Sequence, residues 1–105
     1  MFRTFTKFKT NIRCFTSMSG ANVIYQKLQE HNVKDVFMYS GGSIMPLIDQ
    51  LQQGKINYYI NTHEQNCGHA ATGYAKSSGK TGVVITTNGP GLTKTINPIR
   101  DANTD

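Results

Sequence analysis

Acidic side chains are scarce in this sequence, and the first twenty residues have none. Arg3, Lys7, Lys9 and Arg13 give that stretch a charge of +4. Set apart from it, residues 21–105 carry seven Lys and Arg against six Asp and Glu, a net of +1. The overall +5 is therefore not a basic face, and nucleic acid is not an expected partner. Cysteine is limited to Cys14 and Cys67, too few for a disulfide framework and more consistent with a reducing compartment. No apolar run approaches the roughly 20 residues that span a bilayer, so no membrane partner is expected either.

Several catalytic signatures are also missing. His63-Glu64-x-x-Cys67 lacks the second histidine of the metalloprotease helix. His63 and His69 would stand about 240° apart on a helix, which keeps them from sharing a metal. Thr93, not glycine, precedes Lys94, so the turn before it is not a P-loop. No Gly-x-Ser-x-Gly elbow is present, and no serine nucleophile can be assigned. Cys67 sits among small residues at helical spacing and reads as packing rather than as a nucleophile.

What is present begins with an address. Residues 1–20 combine cations, hydroxyls and spaced apolar side chains, and a helix would gather Phe5, Phe8, Ile12 and Phe15 on one face. That composition predicts an organellar transit peptide, mitochondrial in the first instance, with plastid or cytoplasmic location as alternatives. A disordered basic tail is the plainer reading. Residues 21–105 form the second unit.

In that unit, helical and strand signals alternate. Val23, Ile24, Lys27 and Leu28 predict an amphipathic helix over 21–31, with Asn32 as terminator. Residues 35–39 form a compact apolar run suited to a buried strand. Gly41-Gly42 permits a tight turn, Ser43 is placed to cap the next helix, and Ile44, Leu47, Ile48 and Leu51 give it an apolar stripe up to Gly54. A strand over 56–60 follows, then a helix over 64–78 with Cys67, Ala70, Ala71, Tyr74 and Ala75 on one stripe, stopped by Gly79. Residues 82–87 are the clearest strand, and Asn88-Gly89-Pro90-Gly91 leads into a last helix bearing Leu92, Ile96 and Ile99. The alternation predicts an α/β fold, a partial doubly wound parallel sheet with flanking helices.

Glu64 then falls just past a strand, at the sheet end where open α/β folds place ligands. At a helix start a carboxylate also serves the macrodipole, and that is the plain alternative. Two glycine turns flank it, however, and a carboxylate in a dry crevice can exchange a proton with a heteroaromatic nitrogen.

Taken in order, Gly41-Gly42-Ser43-Ile44-Met45-Pro46, His63-Glu64-Gln65, Gly68-His69-Ala70-Ala71, Gly73-Tyr74-Ala75, Ser78-Gly79-Lys80 and Asn88-Gly89-Pro90-Gly91 resemble a known family over about residues 20–102. The family is the thiamine diphosphate enzymes, through their N-terminal pyrimidine-binding domain. The similarity is greatest to the acetolactate synthase (acetohydroxyacid synthase) catalytic subunits, with oxalyl-coenzyme A decarboxylase and glyoxylate carboligase as related alternatives. The resemblance implies that Glu64 takes the catalytic position that hydrogen-bonds N1′ of the cofactor aminopyrimidine. It implies that Tyr39, Gly41, Gly42 and Pro90 line the same pocket. It further implies a carboligase of branched-chain amino acid biosynthesis that decarboxylates pyruvate and passes two carbons to a 2-ketoacid, with magnesium and FAD in the full-length enzyme.

Departures accompany the match. Ser40 stands where the family has proline, Ser43 where it has alanine, Asn66-Cys67 where it has Gly-Ala, and Lys94 where it has asparagine. No Gly-Asp-Gly for a diphosphate-bound magnesium occurs in the sequence. The chain is thus expected to be the N-terminal part of that domain, inactive alone, in a homo-oligomer or associated with a full-length subunit. A non-catalytic truncated paralogue bound to such a subunit is the alternative. Family sites lie between two subunits, so Glu64 is expected to be wet in this chain by itself.

Overall fold

A computed structural model describes residues 18–104. Most of the expected transit peptide (residues 1–17) and Asp105 lie outside the described residues. The elements run α1 (Gly20–Glu30), β1 (Asp35–Met38), a 3-10 turn (Gly42–Ile44), α2 (Met45–Gln53), β2 (Asn57–Ile60), α3 (Glu64–Ser78), β3 (Val83–Ile85), α4 (Pro90–Thr93) and α5 (Ile96–Thr104).

The strands form one parallel sheet in the order β2-β1-β3, the expected partial doubly wound arrangement. Val36 lies opposite Tyr58 and Val83, and Met38 opposite Ile60 and Ile85. From β1 the chain steps to one neighbour through α2, then crosses back through α3 to the other. Right-handed crossovers in opposite directions place those helices on opposite faces. The contacts agree: Val36 and Met38 are buried with Ile48 and Leu51 of α2, while Phe37 faces Tyr74 of α3. Alternation along β1 therefore feeds both layers. Fully burying side chains such as Val36, Met38 and Leu51 contributes about 1.5–3 kcal/mol each.

Under α3 the sheet is pinned by polar contacts at the amino end of β1. Asp35 accepts hydrogen bonds from Asn57 Nδ2 (3.1 Å), Tyr59 Oη (3.2 Å) and Tyr74 Oη (3.1 Å). The Asn57 amide, with the two tyrosine hydroxyls, holds the Asp35 carboxyl below its ordinary range, against a smaller opposing effect of burial. Phe37 stacks on Tyr59 with ring centres 5.4 Å apart. This cluster anchors the last turns of α3 and so fixes the direction in which its first turn points.

Three expectations need correction. In α1, Val23 and Ile24 turn outward, 42% and 50% exposed, and Tyr25 with Leu28 packs on the core instead. Tyr25 is drawn inward because its hydroxyl accepts from the Lys55 amide (2.9 Å), with its ring against Gly54. Ser43 does not cap α2; it lies inside the 3-10 turn, and its hydroxyl bonds Thr87 Oγ1 at 2.7 Å. The last helix is broken into α4 and α5, and Leu92, Ile96 and Ile99 are each 61% exposed. Pro98 supplies the reason. An unbroken helix would set its ring against the Lys94 carbonyl four residues back, so the chain restarts at Ile96. The buried contact falls to Pro98 itself, which packs against Gly68 of α3.

Candidate functional site

Three loops meet over the carboxyl ends of the strands: residues 39–43 after β1, 61–63 before α3, and 86–91 after β3. Since β1 and β3 are neighbours reached by opposite crossovers, this is where the strand order reverses and a crevice opens. Glu64 is the first residue of α3 and projects into this region beside Gly91. The helix start is set by His63, whose Nδ1 accepts from the Gln65 amide at 3.2 Å. That bond leaves Nε2 to carry the proton of the neutral ring.

Glu64 is not wet, contrary to expectation. Its side chain is 7% exposed, and the shielding comes from this chain's own turns. Oε2 is buried and has no hydrogen-bond partner among the described residues. Buried polar atoms are seldom left so, and one aimed into a crevice points to a missing donor. One cation and one imidazole N–H stand just outside hydrogen-bond length of Oε2, Lys94 Nζ at 3.8 Å and His63 Nε2 at 3.9 Å.

The glycines divide by what they face. A Cβ on Gly91 would lie 3.4 Å from Glu64 Oε1 and 2.7 Å from Thr87 Cγ2. A Cβ on Gly41 would lie 2.5 Å from Thr87 Cβ. Thr87 is thus the wedge between the first and third loops, and only bare backbone fits on either side of it. Gly89 has φ 59° and ψ −122°, a conformation open to glycine and costly for other residues. Gly42 is different: a Cβ there meets nothing within 4 Å. Tyr39 is half-buried at the end of β1, its amide donating to Ile85 O at 3.3 Å. Pro90 is exposed at the start of α4.

The structure therefore brings together Glu64, Gly41 and the 86–91 turn. It adds Thr87, Gly91, Lys94 and His63, which the sequence reading did not assign to the site. Only the Gly-Pro-Gly turn offered a signal for any of these. Cys67, one turn into α3, is fully buried, and burial holds its thiol proton above the ordinary range. His69 stands 3.6 Å from Asp101 on α5, apart from His63. Among the described residues no three His, Cys, Asp or Glu side chains gather to hold a metal, and no helix is long and apolar enough to cross a membrane.

Comparison with known proteins agrees with this architecture. Residues 18–105 match the family described as thiamine pyrophosphate enzyme, N-terminal TPP binding domain. The acetolactate synthase catalytic subunit, mitochondrial, of Saccharomyces cerevisiae is 41% identical over 92 residues, 87% of this chain and 13% of that protein. The acetolactate synthase large subunit of Corynebacterium glutamicum is 46% identical over 89 residues, 84% of this chain and 14% of its own length. The Escherichia coli isozyme 2 large subunit is 44% identical over 88 residues, 84% and 16% respectively. The chain thus spans a small fraction of the length of these relatives. The chain belongs to the thiamine pyrophosphate enzymes, as their N-terminal TPP-binding domain.

Proposed function

We propose that this chain supplies the aminopyrimidine side of a thiamine diphosphate site, as the N-terminal part of an acetolactate-synthase-like carboligase. One observation carries the reading: a buried carboxylate oxygen with no partner, at the sheet's switch point, walled by a glycine that lets a flat ring approach. Glu64 Oε2 would face ring nitrogen N1′ and hold or release a proton there. Gly91 and Gly41 keep side chains out of the ring's place, while Thr87 fixes the spacing of their loops. Tyr39, Gly42 and Pro90 would complete the wall. When bound, thiamine diphosphate supplies the carbon nucleophile and the electron sink for decarboxylating a 2-ketoacid.

The rest of the reading concerns the longer protein. Pyruvate as donor, a second 2-ketoacid as acceptor, magnesium at the diphosphate and FAD would all depend on polypeptide that these 105 residues do not include. A homo-oligomer, or association with a full-length subunit, would complete the site. The basic, acid-free residues 1–17 fit mitochondrial targeting, and three relatives bear mitochondrial names. Attaching residues 1–20 to a fluorescent reporter tests this; a diffuse cytoplasmic signal would refute it.

The test of Glu64 uses a version of the chain extended to the relatives' length. Glu64→Gln is nearly isosteric and should fold, but should slow C2 proton exchange of the bound cofactor about 10²- to 10⁴-fold. Unchanged exchange would remove Glu64 from the chemistry. A second reading, a non-catalytic short paralogue that binds a full-length subunit, is favoured by the exposed stripe of Leu92, Ile96 and Ile99 beside the site. Co-purification of the 105-residue chain with such a subunit would support it, and separate elution would not.

A further inference from the structure

Glu64 is flanked by charge that does not satisfy it. Lys94 Nζ stops 3.8 Å short of Oε2, beyond a hydrogen bond yet too near to be indifferent. The lysine backbone is held firmly, its amide donating to Pro90 O at 3.2 Å at the end of α4. That same turn carries Gly91, which lies against the other carboxylate oxygen. The ammonium is thus anchored on the wall of the crevice, on a side chain 48% exposed, about 1 Å from direct contact. His63 offers a second cation only when its ring is doubly protonated, and its Nε2 is no nearer, at 3.9 Å.

We propose that Lys94 is a built-in competitor for Glu64. It serves as counter-ion to the carboxylate when the crevice is free, and it must yield when Oε2 and a ring nitrogen come to share a proton. Gly91 lies against the other carboxylate oxygen, where a Cβ would stand 3.4 Å from Oε1, so Oε2 is the atom for which Lys94 and a ring would compete. The ammonium favours the bare carboxylate, whereas a ring nitrogen, an acceptor when neutral, pairs with Oε2 only through a proton between them. Lys94 therefore sets how tightly this crevice holds an aminopyrimidine, and weakens it. The inference rests on the aminopyrimidine reading above and adds to it a residue that opposes binding.

The test titrates the 105-residue chain at one fixed pH with 4-amino-2-methylpyrimidine, a ring without diphosphate. Amide shifts of Glu64, Thr87 and Gly91 report occupancy. Lys94→Met and Lys94→Asn should bind the ring about three- to tenfold more tightly, and Lys94→Arg should resemble the unaltered chain. Raising salt from about 0.02 to 0.5 M should tighten binding to the unaltered chain and leave Lys94→Met unmoved. Glu64→Gln should erase the difference that Lys94 makes. Because Lys94 is half exposed, the variants should keep the amide spectrum outside the crevice. Equal or weaker binding by Lys94→Met, or affinity indifferent to salt, overturns the competitor role while leaving the aminopyrimidine reading intact. A ring that shifts those amides in no variant overturns that reading, and the inference falls with it.

Discussion

Thr87 sets the tolerance of the site to single substitutions. Its side chain occupies the space a Cβ would need at both Gly41 and Gly91, and its hydroxyl is tied to Ser43 at 2.7 Å, so it has little freedom to retreat. Gly41→Ala and Gly91→Ala should each cost about 1–3 kcal/mol, read as a lower urea midpoint, while Gly42→Ala should change it by less than about 0.5 kcal/mol. A neutral Gly41→Ala would show that the wedge is soft. Asp35 gives a second test at this scale. Its folded carboxyl titrates below its unfolded value of about 3.9, so its stabilising contribution is complete above that value and is lost as pH falls through the folded one. Asp35→Asn should flatten the acid limb of stability between about pH 5 and 2. On the alkaline side, the Asp35 hydrogen bond raises Tyr59, while burial followed by Asp35 raises Tyr74. Both contributions are present below about pH 10 and fade as pH rises through the raised values. An acid limb that Asp35→Asn leaves unchanged would place the titration elsewhere.

At the scale of elements, close approach is the theme of α3. Gly68 faces the Pro98 ring, where a Cβ would come within 2.3 Å, and a Cβ on Gly82 would come within 2.2 Å of the Ala71 carbonyl oxygen. Proline cannot rotate away as a flexible chain would, so Gly68→Ala should push α5 off α3. The cost should be about 1–3 kcal/mol, with amide shifts concentrated in α5. An unchanged α5 would mean that Pro98 adapts. The three strands were legible as short runs rich in apolar and aromatic residues, and both crossover helices as apolar stripes ended by a glycine. Gly54 and Gly79 end α2 and α3, and Asn32, with φ 55°, follows α1 as expected. The inward face of α1 was not legible, since Val23-Ile24-Tyr25 offers apolar residues in every direction. Tyr25 was selected by Lys55 and Gly54, thirty residues away. The break before α5 could have been read from Pro98 alone, but the regular spacing of Leu92, Ile96 and Ile99 masked it. At the site, the position of Glu64 after a strand was legible. Thr87, Gly91 and Lys94 acquire their roles only through contacts across loops, which no local pattern encodes.

For the whole molecule, the sheet order decides what the chain can and cannot do by itself. With β1 central and β3 at an edge, the crevice has walls from β1, α3 and the turn before α4, and Glu64 is already shielded by them. On the function proposed above, the ring half of a cofactor would sit there. The diphosphate half carries two or more negative charges and needs metal or a cation cradle. Lys94 stands at Glu64, 3.8 Å from its carboxylate, while Lys34 and Lys80 lie at the amino end of the sheet around Gly79 and Thr81. We predict that the 105-residue chain, given thiamine diphosphate, magnesium and FAD, consumes no pyruvate above the uncatalysed rate. A version extended to the relatives' length and carrying Gly-Asp-Gly should consume it. Turnover by the short chain alone would mean that a diphosphate can be held without that second half, and would place the active centre elsewhere than between the two.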